Sequence, residues 1–207
     1  MWKRPWFSGL AIVLCLTPFL YLSWRWYQAD LGINSIEYVS RFTGKWALRM
    51  LLICLAITPL RRIPGLSGLI ALRRMTGLFA FFYGTIHMLH YFGFDAQWNW
   101  LVISEDLTFR RFFIAGAVAL LLMAPLAVTS TNAWVRRLGG KRWQRLHRLI
   151  YLSAIAAIIH YLWQGKSINL DPLIYAGILF VLLGLRVVFS IQKRRRASQV
   201  TVQPASR

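Results

Sequence analysis

Two histidines, His87 and His160, stand inside apolar stretches, residues 75–94 and 146–163, and neither stretch contains a carboxylate that could pair with an imidazole. An ionisable side chain at membrane depth is a functional hypothesis by default, and neutral imidazole nitrogens are good axial ligands for haem iron. His87 lies thirteen residues beyond Arg74, and His160 thirteen beyond His147. At about 1.5 Å per residue each is roughly 20 Å from the inner boundary of its span. The two are therefore predicted to be level, in the outer half of the bilayer, on helices running the same way. Two imidazoles gripping one iron from opposite sides need that arrangement. The competing reading for either histidine alone is a hydrogen bond to a backbone carbonyl on a neighbouring helix.

Small residues share the faces of both histidines. Gly77, Ala80 and Gly84 precede His87 at helical spacing, and Ser153, Ala156 and Ala157 precede His160. They could open a slot for a flat macrocycle, or they could serve close helix–helix packing. His147 lies among arginines near the inner surface, where it is either a solvated histidine or the ligand of a second haem. The facing stretch offers Arg73, Arg74 and Met75 but no histidine, so the opposing ligand would be unusual. His90, three residues after His87, is expected beside the pair rather than on the iron. Arg49, Arg73, Arg74, Arg145 and Arg148 could pair with haem propionates, or could simply orient the chain and bind headgroups.

The elements that must position these residues are membrane helices. Of the 207 residues 57% are hydrophobic and only 15% charged, which is too apolar for an ordinary soluble domain. Apolar runs at residues 6–27, 45–60, 75–94, 110–128, 142–163 and 172–191 give an all-α membrane protein of six transmembrane helices in one bundle, both termini cytoplasmic. Residues 1–196 form the haem-binding domain, and 197–207 are expected to be a polar, disordered cytoplasmic tail. The first run lacks a small-x-small cleavage site and is kept as a span rather than a signal peptide. Residues 28–44 and 95–108 read as outer loops, and 166–171 as a short outer turn. Residues 63–72 read as an inner turn, and 132–138 as a short amphipathic helix on the inner surface, preceded by Thr129-Ser130-Thr131, a run suited to capping it, and stopped by Gly139-Gly140.

The net charge of +19 does not make a nucleic-acid binder, because the basic residues fall in short clusters between apolar runs rather than on one wettable face. It reports orientation instead. In this topology 17 of the 25 Lys and Arg residues lie inside, as retention of basic loops in the cytoplasm requires, and all six acids fall outside. Cys15 and Cys54 both lie within spans and read as small hydrophobes.

The segments FTGKWALRMLLICLAITPLRR, RRMTGLFAFFYGTIHMLHY, LAVTSTNAW, WQRLHRLIYL, IHYLWQGK and PLIYAGIL, in that order, resemble the MsrQ (YedZ) family, from about Pro18 to Arg186. This family provides the haem-binding membrane subunit of a bacterial methionine-sulfoxide reductase system. More distantly the paired histidines resemble the transmembrane domain of ferric reductases and NADPH oxidases. The resemblance implies b-type haem in the bacterial inner membrane, with electrons passed outward to a periplasmic molybdenum-containing reductase that repairs oxidised methionine. It carries the family histidines onto His87, His147 and His160, and His90 falls where no family histidine is expected. It also implies FMN, and either the quinone pool or a cytosolic flavin reductase as donor. No GxGxxG phosphate-binding motif is present for a nicotinamide or flavin dinucleotide. Two other classes stay open: a small transporter or channel with a histidine proton relay, which would ordinarily include an intramembrane carboxylate, and a cofactor-free membrane anchor.

Overall fold

The computed structural model describes residues 5–165 and 170–202. The basic start at residues 1–4, the expected outer turn at 166–169 and the end of the tail at 203–207 lie outside them. Helix α1 spans Pro5–Tyr27, α2 Ser35–Leu60, and a 3-10 turn at Ser67–Ala71 leads into α3, Leu72–His90, which closes in a π-helical turn at Tyr91–Asp95. Then follow α4 Trp100–Phe109, α5 Arg111–Val128, α6 Asn132–Leu138, α7 Gly140–Leu146, α8 Leu149–Gln164 and α9 Asp171–Val202. No strand occurs among the described residues. Among the described residues six segments are long and apolar enough to cross a membrane: Gly9–Tyr27, Ser35–Leu60, Ser67–Asp95, Arg111–Val128, Gly140–Gln164 and Asp171–Gln192.

Four boundaries differ from the sequence expectation, each for a local reason. Helix α2 begins at Ser35 rather than 45, because Asn34 caps it: the Asn34 side chain accepts the Glu37 N–H at 3.2 Å and donates to the Glu37 carboxylate at 2.8 Å. Its first turns are polar, and their composition read as loop. The second outer loop holds a helix, α4, capped by Asn99 through the Leu101 N–H. The fifth span is broken at His147 and Arg148, which turn the chain between α7 and α8. The last helix continues through residues 197–202, which were expected to be disordered. Helix α6 keeps its expected bounds, with the Thr131 hydroxyl accepting the Trp134 N–H and Gly139 at φ +72° ending it.

Helix α2 packs along α3 and α5 along α8, and the two pairs meet in a core centred on Leu48, Leu51, Leu55, Met123, Ala154 and Ile158. Lipid tails give little hydrophobic drive for helix association, and the outer helices are held by polar contacts. The Tyr83 hydroxyl, fully buried on α3, donates to the Cys15 carbonyl of α1 at 2.8 Å and accepts the Phe19 N–H at 3.1 Å. Helix α9 meets α2 in three rungs: Lys45 to Asp171 at 2.6 Å, Arg49 Nε to the Tyr175 hydroxyl at 2.8 Å, and Arg186 to the Leu55 carbonyl at 2.8 Å. Arg186 also donates to the Tyr151 hydroxyl of α8. The bundle thus has one end bearing the inter-helix acids, with α4, and an opposite, arginine-rich end with α6 and α7.

Candidate functional site

Helices α3 and α8 bring His87 and His160 together, with ring centroids 6.0 Å apart and ring planes at 77°. Each ring is anchored through the same nitrogen. His87 donates from Nδ1 to the Ser40 carbonyl of α2 at 3.0 Å, and the Thr43 hydroxyl lies 3.4 Å from that nitrogen. His160 donates from Nδ1 to the Phe112 carbonyl of α5 at 2.7 Å. A carbonyl can only accept, so each Nδ1 carries the proton and each Nε2 keeps its lone pair. Metal-binding histidines characteristically show this arrangement, the outer hydrogen bond fixing tautomer and ring orientation. An imidazole nitrogen binds a transition metal at about 2 Å, so two coaxial imidazoles on one metal hold their centroids about 6 Å apart. The donor set therefore fits an axially ligated haem iron. Among the described residues no group of three or more His, Cys, Asp and Glu side chains gathers as a metal site. The pair is a two-imidazole donor set and not part of a larger cluster.

The space around the imidazoles comes from residues the sequence reading did not single out. A Cβ added at Gly116 on α5 would lie 2.7 Å from His160 Nδ1, and one at Gly44 on α2 would lie 3.2 Å from His87 Cε1. Of the small residues that could open a slot or serve close packing, four meet groups on neighbouring helices. Gly77 faces the Cys54 thiol, Gly84 faces Leu120, Ala80 is buried in the core, and Ser153 donates to the Ala119 carbonyl at 2.8 Å. The spacing of small residues along one helix cannot distinguish these uses. Gly44 and Gly116 become visible only once it is known which helices flank α3 and α8.

His147 is elsewhere, in the break between α7 and α8 at the arginine-rich end. It donates from Nδ1 to the Trp143 carbonyl at 3.1 Å and stacks on the Trp143 indole with centroids 3.8 Å apart. Its Nε2 is buried, near the Leu126 backbone, and makes no well-formed hydrogen bond among the described residues. Beside it lies a cavity of about 320 Å³ whose lining includes Cys54, Arg73, Arg74, Met123 and Trp143. Arg73 and Arg74 therefore face His147 as the sequence suggested, but Met75 is replaced by Met123 of α5 as the nearby thioether. Of the other arginines, Arg49 is engaged with Tyr175 and lies over the Trp46 ring, while Arg145 and Arg148 are exposed. His90 is buried one turn beyond His87 and stacks on Phe94.

Residues 43–158 match the family described as ferric reductase like transmembrane component. Three relatives carry the name protein-methionine-sulfoxide reductase heme-binding subunit MsrQ. The one from Rhodospirillum rubrum is 46% identical over 183 residues, 88% of this chain and 88% of its own. That from Azospira oryzae is 45% identical over 197 residues, 93% of this chain and 84% of its own, and that from Ralstonia nicotianae is 48% identical over 177 residues, 84% and 82%.

Proposed function

Because the chain belongs to the MsrQ family, we propose that it is the haem b electron-transfer subunit of a methionine-sulfoxide reductase system, in which His87 and His160 would hold the iron through Nε2. The observation that carries this reading is the shared anchoring of the two rings: both Nδ1 protons are tied to carbonyls of neighbouring helices, with the centroids 6.0 Å apart. Bound there, haem supplies a one-electron iron couple whose potential follows the axial ligands, their hydrogen bonds and the burial of the site. The protein's own part is to hold and orient. Ser40 and Phe112 fix the tautomers, and Gly44 and Gly116 admit the rings.

Electrons enter at the arginine-rich, cytoplasmic end from the quinone pool or a cytosolic flavin reductase. They leave at the opposite end to a periplasmic molybdenum-containing methionine-sulfoxide reductase, on which the sulfoxide chemistry takes place. The chain sits in the bacterial inner membrane with both termini cytoplasmic. A second haem would take Nε2 of His147, in the cavity flanked by Arg73 and Arg74. We assign FMN no residues.

The test is the visible spectrum of detergent-purified protein before and after dithionite. A low-spin b-type signal is expected, and His87→Ala or His160→Ala should remove it; a colourless wild type made with adequate haem, or unchanged spectra in both variants, overturns the assignment. Haem content per chain in the same preparations, compared with His147→Ala, decides the second site.

A further inference from the structure

We propose that His90 and Asp95 form a proton-exchange pair coupled to the electron on the His87–His160 site, an inference that rests on the reading of that site given above. Of the four histidines, three donate Nδ1 to a backbone carbonyl. His90 is the exception: it is only 6% exposed, and neither of its ring nitrogens has a hydrogen-bond partner among the described residues. Buried polar groups are nearly always satisfied, so an orphaned imidazole held in place needs a reason. It is held in place, stacked on Phe94 with centroids 4.9 Å apart, and Phe94 is in turn packed edge-on against Trp26 of α1.

The backbone directs one group at it. In an α-helix residue 95 would be turned by about 140° from residue 90. The π-helical turn at Tyr91–Asp95, closed by the Ala96 N–H on the Tyr91 carbonyl at 2.9 Å, winds that residue back over His90. Asp95 Oδ2 lies 3.8 Å from His90 Nδ1, too long for a hydrogen bond to the neutral ring. It is close enough to pair with the imidazolium. The Asp95 side chain is 41% exposed and so reaches water at the acid-bearing end. The charged and titratable groups facing the pair are few. His87 precedes it by one turn on α3, and the two imidazoles act on each other electrostatically, with no ring contact or hydrogen bond between them among the described residues. Asp106 and Arg110 bear on Asp95 from α4 and its end, where Asp106 accepts from the Tyr91 hydroxyl at 2.7 Å and from Arg110 at 2.8 Å. Helix α1 contributes the Trp26 ring, packed on Phe94, and its Arg25 is paired with Asp30 and the Tyr38 hydroxyl.

An electron from the donor lowers the charge of the site one turn away by one unit. In a low-dielectric interior that change strongly favours a cation nearby. A proton from water, relayed by the Asp95 carboxylate, forms the N–H bond at His90 Nδ1, and it returns to water when the electron leaves. No other reactant is consumed.

The experiment is potentiometric titration of the purified, haem-loaded protein between pH 6 and 8, followed in the visible spectrum. The midpoint potential of wild type should fall with pH over part of this range, approaching about 59 mV for each tenfold change in proton activity, the one-electron limit. His90→Gln should keep the low-spin spectrum and lose the slope. Asp95→Asn, which leaves the histidines intact, should move the sloping region to lower pH, because the imidazolium loses its counter-charge. A pH-independent wild type, an unaltered slope in His90→Gln, or an Asp95→Asn profile matching wild type overturns the proposal while the haem assignment stands; wild type without haem overturns both. If His90→Gln loses its haem, the Asp95→Asn profile alone decides.

Discussion

At Gly116 a single missing carbon determines whether His160 can stand where it does. The imidazole is pinned by its 2.7 Å bond to the Phe112 carbonyl, and an alanine Cβ would come within 2.7 Å of Nδ1 and 3.0 Å of Cε1. The ring must then move, at a cost of about 1–3 kcal/mol for overpacking. Gly116→Ala is therefore expected to weaken haem retention tenfold or more, measured as haem per chain after dilution into apomyoglobin. Gly177→Ala on α9, where an added Cβ meets nothing within 4 Å, should retain haem like wild type; equal loss in both would remove Gly116 from the site. The histidines themselves were legible because an imidazole without a carboxylate is costly inside a membrane. The glycines were not, because their role depends on which helices are neighbours, and no periodicity within α2 or α5 encodes that.

At the scale of elements, α1 and α9 lie outside the packed pairs and are secured by a few polar contacts. The Tyr83 hydroxyl bridges the Cys15 carbonyl and the Phe19 N–H beside Pro18, whose missing N–H already weakens the α1 ladder. Tyr83→Phe leaves both backbone groups without that partner at a cost of about 1–3 kcal/mol. Its expected signature is a lower thermal midpoint in detergent with an unchanged haem spectrum, since the ring still fills its place four residues before His87. A spectrum altered along with stability would mean that α1 helps to hold the site. Hydropathy made the six spans legible, and it failed where polar sequence is helical. The Asn34–Glu37 cap starts α2 in residues that look like loop, α4 is hidden in a loop rich in acids, and the α7–α8 break at His147 falls inside what reads as one span, between its basic start and its apolar run.

Across the whole molecule charge is segregated more sharply than packing. The loops around α6 and α7 carry Arg136, Arg137, Lys141, Arg142, Arg145 and Arg148 without one acid, whereas Glu37, Asp95, Glu105, Asp106 and Asp171 all lie at the other end. This segregation was readable from the sequence alone, while the pairing of α2 with α3 and of α5 with α8 was not, because every span is apolar on several faces. Orientation follows Lys and Arg in short loops near the helix ends, so the proposed electron direction depends on the arginine-rich end being cytoplasmic. Alkaline phosphatase fused after Gln97 or Gly165 should be active, and fused after Gly139 or at Arg207 inactive, with a fluorescent-protein series giving the reverse pattern. Activity at Gly139 would turn the bundle over, putting the His90–Asp95 pair on the donor side and the His147 cavity beside the acceptor. Electrons would then have to enter where the structure offers acids and leave where it offers arginines.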